Sequence, residues 1–264
     1  MNKRFFKTNT ILSSSRFFAT VTVALLSGLF AQADVEMQPE EGRGDGVMWI
    51  VSPLAGNNHS KMNQRGRDGQ TAGVTENALE YGLFALAVHP RFAVNDFLFF
   101  TEAGNDTDVI GNFFHANFYG APEETATWNL GLGHLYHKIE PSAMDIRVNV
   151  MMAKIGPMLR HKPSGLEFNP YLGLARERVS TRFGSQNDDS LLCGLSTDWR
   201  WRMVNINLKY YYQKSHRQRN SFNNFHLRFT TGITRNCGLA LRIDHIEQSA
   251  VKNTSVLAGP VFIF

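Results

Sequence analysis

Apolar and polar residues alternate along much of the chain from residue 46 onward, and this pattern constrains the fold more than any other feature. In segment 204–213, VNINLKYYYQ, apolar or aromatic residues from Val204 to Tyr212 occupy every second position. Segment 225–233, FHLRFTTGI, repeats the pattern. A period of two over eight or more residues is typical of a β-strand with one apolar and one polar face. The sequence therefore predicts an all-β fold.

The same criterion divides the rest of the chain into about twelve strands (10–12). Segment 146–160 changes the parity of its alternation near Met151 and Met152. Such a change predicts a β-bulge or an overlong strand there. The predicted strands are 47–55, 79–88, 97–102, 110–119, 127–137, 146–160, 168–175, 191–202, 204–214, 225–234, 239–246 and 256–264.

Polar segments between the predicted strands fall into two length classes. Long segments are 56–77, 176–190 and 213–224, and short ones are 202–203 and 235–237. If the chain ends in the periplasm, counting strands backwards puts the long segments outside and the short ones inside. Long outer loops and short periplasmic turns are typical of a transmembrane β-barrel.

A soluble barrel with an apolar interior would show the same alternation. Two features favour a membrane barrel. Trp199, Trp201, Tyr210 and Tyr212 lie near strand ends on the apolar face, as an interfacial aromatic girdle would, and large charged residues occupy the polar face. We expect that polar face to surround a lumen. The residues predicted to line the lumen are Lys154, Arg160, Glu167, Glu177, Asp198, Arg200, Lys209, Arg228, Arg242 and Asp244.

The chain ends on SVLAGPVFIF, in which Val256, Ala258, Phe262 and Phe264 fall on one face of the last predicted strand. This ending resembles the C-terminal signature of bacterial outer-membrane β-barrel proteins, whose last strand is read by the assembly machinery. The resemblance implies an antiparallel, up-and-down transmembrane β-barrel over residues 46–264 in a Gram-negative outer membrane. It also implies outer-membrane lipids, lipopolysaccharide and the barrel assembly machinery as partners. Backbone chemistry agrees, because a sheet in lipid has to close on itself.

Residues 1–33 have the three parts of a secretory signal peptide. A basic start precedes the apolar run FFATVTVALLSGLF, and AQA follows it. We expect cleavage after Ala33, because the apolar run is shorter than the ~20 residues of a spanning helix; a retained membrane anchor is the alternative. Residues 34–45 would then form a polar periplasmic lead-in.

Cleavage would remove four basic residues and no acidic one, leaving 23 basic against 23 acidic residues. The sequence pI of about 9.1 therefore reflects the export segment. A nucleic-acid partner is not expected for such a balanced chain.

Charged residues of both signs on the predicted luminal face leave two functions open. One is a narrow channel for small hydrophilic solutes, whose identity the sequence does not reveal. The other is a non-catalytic structural or adhesive surface barrel with a lumen plugged by paired charges. In an adhesive barrel, segment 57–77 would carry the binding. Lys61, Arg65 and Arg67 within it could bind anionic lipopolysaccharide.

A lipid A-modifying hydrolase is a second alternative. Segment 133–145 gathers His134, His137, Glu140, Ser142 and Asp145, and a serine with a histidine and an acid is the minimum for such chemistry. Nothing in the sequence fixes their geometry, so a protein that is not an enzyme is the main expectation. No His or Cys spacing typical of a zinc site appears, and no metal or cofactor is expected.

Overall fold

The computed structural model describes residues 46–65, 71–103, 107–140, 146–181, 184–216, 221–248 and 251–264. Within these residues, twelve antiparallel strands close into one barrel, in which each strand pairs with its neighbours in sequence and the last pairs with the first. The predicted all-β, up-and-down barrel of about twelve strands is confirmed. The strands are β1 (Met48–Arg65), β2 (Thr71–His89), β3 (Phe92–Ala103), β4 (Thr107–Tyr119), β5 (Ala126–Glu140), β6 (Ile146–His161), β7 (Leu166–Thr181), β8 (Gly184–Trp201), β9 (Val204–Ser215), β10 (Ser221–Gly232), β11 (Cys237–Gln248) and β12 (Val251–Ile263).

The two ends of the barrel carry different connections. At one end, which we call the terminal rim, β1 begins and β12 ends, and turns 90–91, 120–125, 162–165, 202–203 and 233–236 join the strands. Gly165 has a φ of 65°, and a Cβ atom there would lie 2.1 Å from a backbone carbonyl oxygen of β8, so this turn requires glycine. At the other end, the distal rim, the connections lie outside the described residues.

The predicted long loops are wrong. Strands β1 and β2 occupy segment 56–77 apart from residues 66–70, and the other two long segments are likewise mostly strand. Ladder pairing does not depend on apolar side chains, because each backbone group only needs a partner on the next strand. The polar side chains also find partners, since Asn58 Nδ2 donates to Glu80 Oε2 over 2.6 Å.

The predicted bulge in β6 is also wrong, whereas the alternative of an overlong strand is confirmed by its 16 residues. Met151 lies opposite Arg176 and Met152 opposite Ala175, with no residue inserted. Met151 is 66% exposed on the outside of the barrel, while Val150 is buried inside it. The parity of the alternation is lost because both faces of β6 are apolar at this level.

The outside of the barrel is largely apolar. Leu172, Leu174, Leu191 and Ile155 are each more than 60% exposed. Trp199 and Trp201 stack on each other near the terminal rim, with ring centroids 6.2 Å apart. An apolar outer band with aromatic residues at its edge suits a barrel that contacts lipid. Among the described residues, no helix is long and apolar enough to cross a bilayer.

The C-terminal residues close the barrel. Phe264 N–H donates to the Trp49 carbonyl over 2.9 Å, and Trp49 N–H donates to the Phe264 carbonyl over 3.1 Å. The side chains of Val256, Phe262 and Phe264 are exposed, and Ala258 is partly exposed. Their role as an assembly signal stays a prediction. The predicted signal peptide (1–33) and lead-in (34–45) lie outside the described residues.

Candidate functional site: the luminal cavity

Inward-facing side chains line a partly open cavity of about 170 Å³ inside the barrel, and each of the twelve strands contributes to its lining. Two walls of different character face this space. We call them the charged wall, formed by β9, β10 and β11, and the aromatic wall, formed by β2, β3 and β4. Their separation follows from the strand order, because β9–β11 and β2–β4 lie on different sides of the closed barrel.

The charged wall is organised around Asp244. Its carboxylate accepts a hydrogen bond of 2.5 Å from Arg242 Nε, and its Oδ1 atom lies 2.6 Å from His226 Nδ1. Arg228 lies directly opposite Arg242 on the neighbouring strand, and Lys209 lies opposite His226. The two guanidinium groups therefore belong to neighbouring strands, and among the described residues Asp244 is hydrogen-bonded to Arg242 and not to Arg228.

The aromatic wall consists of Phe84, Phe97, Phe99 and Phe113. Phe97 and Phe99 stack with centroids 5.5 Å apart. Phe84 and Phe97 are almost completely buried, whereas Phe99 and Phe113 keep part of their surface exposed. The wall therefore presents ring surface to the cavity from its two partly exposed members.

Cations of the charged wall reach the aromatic wall. The guanidinium carbon of Arg242 lies 3.6 Å from the ring centroid of Phe97, and that of Arg228 lies 4.7 Å from the centroid of Phe84. A cation over a ring face is attracted by the ring quadrupole. These contacts hold both arginines in place and explain why Phe84 and Phe97 are covered.

A fourth cation enters the cavity from β6. Lys154 Nζ lies 4.3 Å from the ring centroid of Tyr171 on β7. On the other side, a Cβ atom at Gly131 would lie 2.4 Å from Lys154 Cε. Glycine at this position of β5 therefore leaves room for the lysine side chain.

Apolar side chains close one side of the cavity. We call this group the apolar plug, and its members pack together inside the barrel. Leu257 and Val261 are 0% and 1% exposed, and Phe84 and Phe97 belong both to the plug and to the cavity lining. The plug therefore separates the cavity from the terminal rim on this side of the barrel. It consists of Leu54, Phe84, Leu86, Phe97, Ala240, Leu257 and Val261.

A second group of charges lies near the terminal rim, and we call it the rim cluster. Glu167 stands between Arg160 and Arg200, with N···O distances of 3.4 Å and 3.7 Å. Arg160 Nη1 also donates to the backbone carbonyls of Ala121 and Pro122 over 3.2 Å and 3.3 Å. One carboxylate and two carbonyl oxygens thus satisfy this group, whose arginines have partners within the protein.

The ten residues predicted to line the lumen fall into three places. Lys154, Lys209, Arg228, Arg242 and Asp244 line the cavity. Arg160, Glu167 and Arg200 form the rim cluster, and Asp198 lies opposite Glu167. Glu177 lies farther towards the distal rim, opposite Asp188, whose carboxylate accepts a hydrogen bond from the Ser215 hydroxyl. The role of these residues in choosing solutes stays a prediction.

The histidines of the hydrolase hypothesis are separated. His137 lines the cavity and meets Phe99 edge to face, with centroids 5.2 Å apart. His134, three residues earlier on β5, points to the opposite side of the sheet. Ser142 and Asp145 lie outside the described residues, as does the side chain of Glu140. The described residues therefore assemble no nucleophile and base from this segment.

Sequence reasoning missed the aromatic wall, because it assigned apolar residues to the lipid side. A signal was present in segment 97–100, FLFF, which is apolar at consecutive positions. A continuous apolar run indicates a strand buried on both faces. Among the described residues, no group of three or more His, Cys, Asp or Glu side chains is arranged to hold a metal ion.

Comparison with known proteins identifies the fold. No family model and no curated protein matches the chain. The chain is similar to the translocator domain of the autotransporter NalP from Neisseria meningitidis, at 9% identity over 95% of this chain and 97% of that chain, with a TM-score of 0.51. It is also similar to an outer membrane channel from Pseudomonas putida F1, at 12% identity over 87% and 100% of the two chains, with a TM-score of 0.50. The protein thus has the closed β-barrel fold of outer-membrane proteins.

Proposed function

We propose that the protein is an outer-membrane β-barrel of a Gram-negative bacterium and acts as a narrow channel for small hydrophilic solutes. The observation that carries this proposal is the cavity, which lies inside a barrel of apolar exterior and combines the charged wall with the aromatic wall. Charged side chains lining a transmembrane lumen select the solutes that enter it. Selection by the charged wall is therefore the role that the site supports best.

The packing of the lumen favours a narrow path over a general porin. Twelve strands enclose a smaller lumen than the 16–18 strands of general porins. Part of that lumen is filled by the apolar plug, in which Leu257 is completely buried. We therefore expect the plug to narrow the path that a solute can take.

Export and orientation complete the proposal. The chain would be secreted through a signal peptide cleaved after Ala33. The terminal rim, with its short turns, would face the periplasm, because outer-membrane barrels have their short turns on that side. The distal rim would face outward and meet lipopolysaccharide. Of the cationic residues named for that contact, Lys61 is exposed in β1, while Arg67 and the side chain of Arg65 lie outside the described residues.

Conductance across a planar bilayer tests the channel. The protein would be purified from the outer membrane of a bacterial host and reconstituted in the form in which it is isolated. We expect stepwise currents that disappear after heat unfolding. The substitution Leu257→Ala shortens a buried side chain of the plug and should raise the conductance. The matched control is Leu172→Ala, which removes a leucine 68% exposed on the outside and should leave the conductance unchanged.

A non-conducting structural barrel is the second candidate, and the apolar plug and the internally paired rim cluster favour it. It predicts that a folded, heat-modifiable protein passes no current, and that Leu257→Ala passes none either. Current through the unmodified barrel would exclude it.

A further inference from the structure

Three properties of the cavity define the chemistry of a ligand: its charge, its ring surface and its size. Together they favour one class of solute over the broad range of hydrophilic molecules. The inference rests on the proposed function, because it names the solute of the same cavity.

The cavity has more cations than anions. In the part of the chain that the structure describes, four Lys or Arg side chains line it against two carboxylates. Both carboxylates already have partners, since Asp244 binds Arg242 and His226, and Glu80 accepts a hydrogen bond from Asn58. Asp198, which lies nearer the terminal rim, attracts Lys154, Lys209 and Arg228. One carboxylate against these three cations still leaves a positive charge.

Arg228 is the cation with the clearest need for an anion. Its Nε atom is buried and has no hydrogen-bond partner among the described residues. Its guanidinium lies over the Phe84 ring and is attracted by Asp198, but neither gives Nε an acceptor. A buried N–H without an acceptor is costly, and the planar fork of arginine fits a carboxylate in a bidentate way. A bound carboxylate would supply the missing acceptor.

The aromatic wall determines which uncharged group of the ligand fits the cavity. Phe99 and Phe113 keep exposed ring surface on the cavity side. Ring faces and edges pack well against another ring, in offset or edge-to-face arrangements. A small inorganic anion would leave this surface without an apolar partner.

The size of the cavity suits a ligand with a single ring. An apolar cavity of about 150 Å³ in another protein binds benzene. The cavity of this barrel, at about 170 Å³, therefore has room for one six-membered ring with a small substituent.

We propose that the cavity binds a small aromatic monocarboxylate, with its carboxylate on Arg228 and its ring against Phe99 and Phe113. Lys209 and Lys154 add positive charge to the same space. The inference depends on the juxtaposition of Arg228 Nε, which has no hydrogen-bond acceptor among the described residues, and the partly exposed rings of Phe99 and Phe113.

Isothermal titration calorimetry with the full protein in detergent tests the site directly. The probes are benzoate, benzyl alcohol, which keeps the ring without the charge, and acetate, which keeps the charge without the ring. We expect benzoate to bind at least about tenfold more tightly than either, because a charge-assisted hydrogen bond and ring burial each contribute more than about 1.4 kcal/mol. Equal binding of benzoate and benzyl alcohol, or of benzoate and acetate, would overturn the proposal, and this comparison needs no variant.

Variants assign the roles within the site. Arg228→Gln should weaken benzoate binding about tenfold or more while leaving benzyl alcohol unchanged. Phe113→Leu should weaken benzoate and leave acetate unchanged. Arg176→Gln is the matched control, because that arginine is exposed and pairs with Asp189 away from the cavity. Undiminished benzoate binding by a folded Arg228→Gln protein would contradict the assignment.

The site and the channel can fail separately. Selective benzoate binding by a barrel that passes no current would retain the site and remove the channel. Stepwise currents together with equal binding of all three probes would retain the channel and remove the site.

Discussion

The cavity and the rim cluster contain the same residue types in different proportions. In the rim cluster, Glu167 lies between Arg160 and Arg200, and Arg160 also binds two backbone carbonyls. In the cavity, Asp244 binds Arg242, while Arg228 Nε has no partner among the described residues. The rim cluster is therefore complete without a ligand, whereas the cavity is not.

This difference suggests how to tell a structural cluster from a binding site in a barrel lumen. Both contain charges, but among the described residues only the cavity has a buried guanidinium N–H without an acceptor. In a paired cluster, removing one partner leaves an uncompensated charge and is therefore destabilising. In a cluster with excess positive charge, repulsion between the cations lowers the stability, and the same charge can attract an anion. The following predictions test that separation on the two clusters.

Removing the carboxylate of the charged wall should have the largest effect on stability. Asp244→Asn leaves Arg242 without its ionic partner inside the barrel, and we expect a loss of about 3–5 kcal/mol in the free energy of unfolding. Urea unfolding in lipid vesicles, followed by tryptophan fluorescence, measures the change. Unchanged unfolding midpoints would mean that Asp244 does not hold the charged wall together.

Removing the carboxylate of the rim cluster should cost less. Glu167→Gln should lower the free energy of unfolding by about 1–2 kcal/mol, because Arg160 keeps its two carbonyl partners and Arg200 is partly solvated. The same unfolding experiment measures this loss, and bilayer recordings should show unchanged anion preference. A fall in anion preference as large as that of Arg228→Gln would erase the distinction between the clusters.

Neutralising one arginine in each cluster separates the clusters most clearly. Arg228→Gln should change the free energy of unfolding by less than about 1 kcal/mol, because the loss of the Phe84 contact is offset by removal of a charge that has no hydrogen-bonded carboxylate. Arg160→Gln, its counterpart in the rim cluster, breaks an ion pair and two carbonyl contacts and should be clearly destabilising. Equal losses of stability in both variants would contradict the proposed difference.

An exposed pair on the outside should show the smallest effect. Arg176 and Asp189 form an ion pair with side chains 72% and 61% exposed. Arg176→Gln should change neither unfolding nor ion selectivity measurably, because solvent screens such pairs. A measurable loss of stability would indicate that this pair is shielded from water in the membrane.

Much of the fold could be predicted from the sequence, because a barrel strand with one polar and one apolar side has polar and apolar residues at alternate positions. Segment 204–213 alternates cleanly, and β9 occupies Val204–Ser215. The full length of the strands was not predictable from polarity, because polar residues pair as well as apolar ones in a ladder. Segment 56–77 is the clearest case, since most of it belongs to β1 and β2.

The candidate site could be predicted only in part. Alternation puts Lys154, Lys209 and Arg228 on the polar side of their strands, and these residues line the cavity. It does not reveal that Phe99 and Phe113 face the same space, because hydropathy alone cannot distinguish a ring facing lipid from a ring facing the lumen. Nor can it reveal which arginine lacks a carboxylate, since that depends on contacts across the barrel.

The reversal potential of the reconstituted protein tests the central claim most directly. Two salt solutions of different concentration on the two sides of a planar bilayer give the ratio of anion to cation permeability. We expect the protein to prefer anions and Arg228→Gln to lose most of that preference, while Arg176→Gln retains it. A preference for cations, or an anion preference that Arg228→Gln leaves unchanged, would contradict the account.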